Sequence, residues 1–541
     1  MGIGQWLRTG IGWRAGAQLC AGAIALGAVP AAATAAGVST VTHSSAGAAP
    51  VVTIADGAVR GKTTGSADEF LGIPYAAPPV GPLRWRPPAP AASWSGERDA
   101  TTFAPRCAQP ASPFSSASSS EDCLYLNVFA PADGKHGGKG RPVIVWIHGG
   151  GLWLGASDDY DPAKLAADGS VVVTINYRLG ALGFLAHAAL ADRPGGSSGA
   201  YGLMDQQAAL RWVQRNIHAF GGDSRKVTIA GESAGGLSVL THVASPRAQG
   251  LFARAIVQSG AYALTQLPLE EAETAGEAFA VKVGCASQTA ACLRGLPLSI
   301  IQANDSPPVS VHPGVVDGEV LEQSIGTAIA SGQFNRVPII NGTTHDEARL
   351  FTAATELQGT PVTEANYQAA IASMLGVSAA IAAVVATEYP LSSYPSPALA
   401  VSAVGTDALF ACPALKLDKL TSKFVPTFAY EFNDDNAPQR YLPPVSFPYG
   451  AAHASELQYL FDLPTAPIAG SLTAQQQMLA TAMQRYWTQF AARGFPSSKG
   501  QPLWPRFTSH SQQMLSLVPP RPQVDTDFAA AHNCAFWASA G

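Results

Sequence analysis

Residues 226–236 read KVTIAGESAGG, a β-branched run that passes directly into Gly231-Glu232-Ser233-Ala234-Gly235 and then into helix-compatible sequence. A strand that becomes a helix within so few residues must carry its backbone past itself. Glycines two before and two after Ser233 remove the side chains that would collide there. Such a turn, a nucleophile elbow, projects the Ser233 hydroxyl outward, and the helix N-terminus behind it favours developing negative charge.

The surrounding sequence supplies the strands and helices that this turn demands. Short apolar runs recur at 143–147 (VIVWI), 171–175 (VVVTI), 227–230, 255–257, 337–340 (VPII) and 427–432. Their lack of polar alternation predicts strands covered on both faces. Between them, 203–220 places Leu203, Leu210, Val213, Ile217 and Phe220 near helical spacing and stops at Gly221-Gly222. A second helix is entered by Thr473, with Gln476 three residues on, and ends before Gly494. Strand and helix in alternation imply an α/β fold with a mainly parallel sheet. Residues 264–308 and 352–411 read as helical excursions over it, and 112–120 as a Ser-rich loop.

Directly after 143–147 comes His148-Gly149-Gly150-Gly151. Successive glycines after a strand can turn backbone N–H groups toward a carbonyl oxygen, so Gly150 and Gly151, with the N–H of Ala234, form a candidate oxyanion hole. His148 reads as a residue orienting that loop rather than as a base. A serine hydroxyl needs a base, and with an elbow the chain order is serine, acid, histidine. His453, His510 and His532 lie late enough. His453 sits in a small-residue loop, GAAHASEL, whereas His510 and His532 read as surface residues. For the acid, 337–340 leads into Asn341-Gly342-Thr343-Thr344-His345-Asp346-Glu347, and spacing leaves Asp346 and Glu347 both open.

The first 36 residues stand apart: Arg8 and Arg14 precede an Ala/Gly/Leu-rich stretch with A-x-A sites near Ala33 and Ala35. They read as a secretory signal peptide, with 37–541 as one catalytic domain and an extracellular or periplasmic location. Pro30, Gln18 and several glycines leave too little apolar length for a bilayer span, and no later segment reads as one. Cys20 falls in that signal, leaving Cys107, Cys123, Cys285, Cys292, Cys412 and Cys534, an even set suited to an oxidising compartment. Spacing suggests 107 with 123 and 285 with 292, and elimination then pairs 412 with 534. A formal charge of −5 without long like-charge runs gives no basic face for nucleic acid. No Cys/His cluster has metal-ligand spacing, so neither a metal nor an organic cofactor is expected. Asn304-Asp305-Ser306 and Asn341-Gly342-Thr343 match glycosylation acceptors.

With these residues in place, the chain resembles the type-B carboxylesterase/lipase family, the cholinesterase-like branch of the α/β-hydrolases. The resemblance runs from about residue 51 to the end. It includes FLGIPYAAPP (70–79), GPLRWRP (81–87), EDCLYLNVFAP (121–131), NYRLGALGF (176–184), Gln258-Ser259-Gly260 and HASELQYLF (453–461). It implies an α/β-hydrolase fold and Ser233 as nucleophile, Glu347 as acid and His453 as base. It also implies Gly150, Gly151 and Ala234 as oxyanion hole, and Glu232 and Ser259 in a buried polar network beside them. The same three disulfides follow from it. The 107–123 loop lacks the tryptophan that stacks on choline in cholinesterases and holds Phe114 as its one aromatic residue. That loop is also too short and polar for the lid of fungal lipases in this family. The resemblance therefore implies a secreted hydrolase of soluble small-molecule esters working through an acyl-enzyme. A lipase, amidase or carbamate hydrolase with the same residues, or a silent binding module, are the alternatives.

Overall fold

The computed structural model describes residues 49–540 apart from 66, 134–139, 192–195 and 306–313. The expected signal peptide, with Cys20, and Ser306 of the first acceptor motif lie outside the described residues. Eleven strands make one sheet: β1 (Lys62–Thr64), β2 (Ala67–Pro74), β3 (Tyr125–Pro131), β4 (Arg141–Ile147), β5 (Val171–Ile175), β6 (Gly222–Glu232), β7 (Arg254–Gln258), β8 (Ile339–Thr344), β9 (Thr427–Phe432), β10 (Met514–Leu517) and β11 (Gln523–Asp525). Their spatial order is β1-β2-β3-β5-β4-β6-β7-β8-β9-β10-β11. The strands from β5 to β10 in that order are parallel, and both edges are closed by antiparallel pairs.

The apolar runs alternate between two cores. In β4, Val143, Val145 and Ile147 face a core shared with α1 (Tyr201–Asn216) and α2 (Ala234–Ala244), through residues such as Leu210, Val213, Leu237 and Leu240. Ile144 and Trp146 face the opposite core, filled by Leu479, Met483, Tyr486, Trp487 and Phe490 of α4 (Ala474–Arg493), α3 (Arg349–Leu357) being one of several helices between α2 and α4 in the chain. Covering both faces explains why these strands read as continuous apolar runs. The two sequence-read helices form as expected. Thr473 Oγ1 accepts from the Gln476 N–H, Gln476 Oε1 accepts from the Thr473 N–H, and Gly494 ends α4 at φ +80°.

Two expectations shift. The strand read at 337–340 runs instead over Ile339–Thr344, because Asn341, Gly342, Thr343 and Thr344 pair with β9 and are buried despite their polarity. Asn341 is accordingly no glycan acceptor in the folded protein: it is fully buried, its amide donating to Ala414 O and Asp418 Oδ1. The helical run Pro397–Thr421 is long and apolar enough to cross a membrane, but 72% of its apolar window is buried inside the protein. It is interrupted by a π-turn, Asp407–Ala411. Disulfides join Cys107 to Cys123, Cys285 to Cys292 and Cys412 to Cys534.

Candidate active site

β6 ends at Glu232 and α2 begins at Ala234, leaving Ser233 alone between them at φ 56°, ψ −122°. A non-glycine residue pays for that conformation, and the surroundings enforce it. The Ser233 N–H donates to Gln258 O at 2.8 Å, and the chains pass so closely that a Cβ on Gly235 would lie 2.0 Å from Ile147 O. Gly231 is equally confined, its would-be Cβ 2.5 Å from the carbonyl carbon of Gly235. The sharp turn read from the sequence thus has its cause in backbone contact.

The glycines after β4 face the same spot. Gly150 and Gly151 have φ of +98° and +65°, and a Cβ on Gly150 would come within 2.3 Å of Leu154 O. Their N–H groups donate to no acceptor among the described residues, and both glycines line a cleft with Ser233. The N–H of Ala234 belongs to the first turn of α2, where intrahelical acceptors are lacking. His148 holds this loop as expected. Its ring stacks on Tyr177, whose hydroxyl donates to His148 O at 2.8 Å, and burial pushes its pKa down to about 4, leaving it neutral.

Glu347 and His453 meet although 106 positions separate them. His453 Nδ1 donates to Glu347 Oε2 at 2.5 Å, while Glu347 Oε1 accepts from Thr343 Oγ1 at 2.5 Å and from the Thr344 N–H at 2.9 Å. Burial alone would raise the Glu347 pKa. The His453 charge, with hydrogen bonds from His453 and Thr343, holds it below the ordinary value. Asp346 points elsewhere, accepting from the Ala451 N–H and pairing with Arg349 at 2.8 Å. The choice that spacing left open is therefore made by direction: of the two neighbours, Glu347 reaches the imidazole.

His453 lies among three buried carboxylates. Glu232 Oε1 stands 3.0 Å from Nε2, close enough for charge attraction but without the alignment of a hydrogen bond. Glu456, fully buried, accepts from Gln258 Nε2, which is itself oriented by Trp487 Nε1. Burial opposes the imidazolium, yet Glu232, Glu347 and Glu456 together lift the His453 pKa to about 9. Glu232 in turn is raised, chiefly by burial. Phe351 and Phe410 flank the imidazole at centroid distances of 5.1 and 5.2 Å.

Ser233 and His453 open into one cleft. Its walls are mainly apolar, including Leu350, Phe351, Leu457 and Leu463. Phe114 of the 107–123 loop meets Tyr441 across it, ring centroids 5.3 Å apart. Asp159, which also lines it, is neutralised by Arg106 at 2.8 Å and accepts from Thr465 and Ser115.

A family model described as the carboxylesterase family matches residues 48–537, most of the chain. The chain belongs to this family. Among its relatives are the cocaine esterase of Homo sapiens, 36% identical over 89% of this chain and 88% of the relative, and the para-nitrobenzyl esterase of Bacillus subtilis (strain 168), 35% identical over 86% and 94%. An acylcarnitine hydrolase of Mus musculus is 36% identical over 84% of both chains. The protein is thus an α/β-hydrolase that cleaves carboxylic esters of small molecules.

One sequence reading is overturned. His532 is not a surface residue but is 2% exposed, its two nitrogens directed at Asp407 and Glu431. His510 is exposed as read. Sequence reasoning also missed Glu456, Thr343, Phe351 and Phe410. Glu456 lies three residues after His453, within reach of a local reading. Phe410 sits in a helical excursion and carries no local signal.

Proposed function

We propose that Ser233, Glu347 and His453 act as nucleophile, acid and base of a two-stage acyl transfer. Ser233 Oγ attacks the ester carbonyl while His453 Nε2 takes its proton, and the oxyanion is held by the N–H groups of Gly150, Gly151 and Ala234. The alcohol leaves with that proton, and water then releases the acid from the acyl-enzyme by the same route. Glu347 orients the imidazole and stabilises its cation without taking the proton. The observation that carries this reading is the 2.5 Å contact of Glu347 with His453 Nδ1, which leaves Nε2, beside Glu232, to take a proton, while His453 and Ser233 line one cleft. The Ser233 hydroxyl makes no side-chain hydrogen bond among the described residues, a looseness common before substrate binds. Glu232 and Ser259 complete the polar surroundings of the pair.

The favoured substrates are soluble esters with apolar groups: the cleft is apolar, and relatives are named for esters as different as cocaine and para-nitrobenzyl compounds. Residues 1–36 serve as an export signal and 37–541 as the catalytic domain, a reading supported by the three disulfides. Labelling with a fluorophosphonate, lost in Ser233→Ala, tests the nucleophile. Rates on nitrophenyl esters of rising acyl length, with and without emulsified substrate, test the substrate class. A jump in rate at the emulsion surface would favour a lipase instead.

A further inference from the structure

Outside the cleft, one buried cluster of titratable groups takes no part in the chemistry above. His532 Nδ1 lies 2.6 Å from Asp407 Oδ1 and Nε2 lies 2.5 Å from Glu431 Oε1. Glu431 also accepts from His345 Nδ1 at 2.9 Å and, through its other oxygen, from Asn433 Nδ2 at 2.8 Å. The second oxygen of Asp407 accepts from the Tyr389 hydroxyl at 2.7 Å. His345, Glu431 and His532 are a donor set that could hold a metal ion. Tetrahedral zinc with bonds of about 2.05 Å would set its donors about 3.3 Å apart, however. The spacings of 2.5 and 2.9 Å from Glu431 to its two histidines are those of hydrogen bonds. The cluster is an ionic clasp, an imidazolium between two carboxylates.

Each carboxylate leads to a support of His453 or Glu347. Asp407 opens the π-turn Asp407–Ala411, and Phe410 in that same turn packs on the His453 ring and stacks on Phe351. A π-turn holds an extra residue against the helical register and needs outside contacts to persist. Glu431, on β9, holds His345, whose N–H donates to Phe432 O and which stands two residues before Glu347. The Cys412–Cys534 disulfide joins the segment after the π-turn to the C-terminal segment that carries His532.

We propose that His532 is a positioning residue for ester hydrolysis: by tying Asp407 to Glu431 it fixes Phe410 against the His453 ring and His345 beside the Glu347 loop. The proposal rests on the reading of His453 and Glu347 given above. Burial works against the His532 cation, but hydrogen bonds and charge from Asp407 and Glu431 lift its pKa to about 10, so the clasp stays closed across neutral pH.

The test compares His532→Ala, His532→Gln, Phe410→Leu and His453→Ala, measuring kcat and KM on a soluble nitrophenyl ester together with circular dichroism. Phe410 and His532 do not line the cleft, so the expected loss lies in kcat. It falls about 10- to 100-fold in His532→Ala with KM within about twofold, the scale of a small misplacement of a reacting group. Glutamine, able to donate to one carboxylate, restores part of it. Phe410→Leu leaves the clasp whole and loses kcat alone, which keeps the question answerable where His532→Ala fails to fold. A folded His532→Ala or a Phe410→Leu enzyme with wild-type kcat overturns the proposal, as does a defect confined to KM. His453→Ala separates the two readings: if it retains activity the assignment of the base fails, and if it is dead while His532→Ala is fully active only the positioning role fails.

Discussion

In the proposed mechanism the charges around His453 set the pH at which the enzyme works, and Glu232→Gln changes one of them at nearly constant volume. A general base must be neutral, so kcat/KM should rise with pH through the titration of His453, whose pKa lies at about 9 in the free enzyme. Removing a neighbouring anion destabilises the imidazolium, lowers that pKa and moves the rise to lower pH. At an effective dielectric of about 20, a unit charge at the 3.0 Å separating Glu232 Oε1 from Nε2 is worth about 5.5 kcal/mol. That equals about 4 pKa units at 1.36 kcal/mol each and is an upper bound. Glu232 delivers only part of it, because its charge is shared between two carboxylate oxygens and 3.0 Å is the distance of Oε1 alone. A downward displacement of roughly 1 to 2 units is expected. The assay is kcat/KM on a soluble nitrophenyl ester from acid to alkaline pH at fixed ionic strength. The midpoint is read rather than the plateau, since glutamine also alters contacts near Ser233. A midpoint that stays in place or moves upward would refute the reasoning.

Three further outcomes follow from the same geometry. Glu347→Gln should lower kcat by about 10⁴ by analogy with other triads, while Asp346→Asn, which disturbs Ala451 and Arg349 rather than the imidazole, should cost far less; equal losses would show that the direction of these side chains has been misread. Gly150→Ala puts a methyl 2.3 Å from Leu154 O at a φ of +98°, so the loop proposed to hold the oxyanion must shift and kcat should fall by about 10² to 10³; a variant with unchanged kcat would remove Gly150 from that role. Replacing Cys412 and Cys534 together by alanine frees a loop of 122 residues, which in the chain-entropy model costs about 5 kcal/mol. Urea unfolding measures this, and a loss under about 1 kcal/mol would mean that the bridge constrains little.

What could be read from the sequence follows from how far apart the causes lie along the chain. The elbow was legible because Gly231, Ser233 and Gly235 constrain one another within a few residues, and the α4 cap because Thr473 and Gln476 satisfy each other. The strand at 339–344 was only half legible: what buries Asn341 and Thr343 is pairing with β9, and Gly342 is required by the Tyr430 ring, whose atoms would lie 2.2 Å from a Cβ there. Asp346 and Glu347 are adjacent in sequence and chemically alike, so nothing local could part them. They are parted by Arg349 and Ala451 on one side and by His453 on the other. His532 is the extreme case, since its carboxylates come from positions 407 and 431 and its burial exists only once the C-terminal segment has docked. A histidine between small and polar residues looks solvated until long-range partners are known. An imidazolium is worth burying only where anions wait for it, and here those anions are supplied by the elements that carry Phe410 to His453 and His345 to the Glu347 loop.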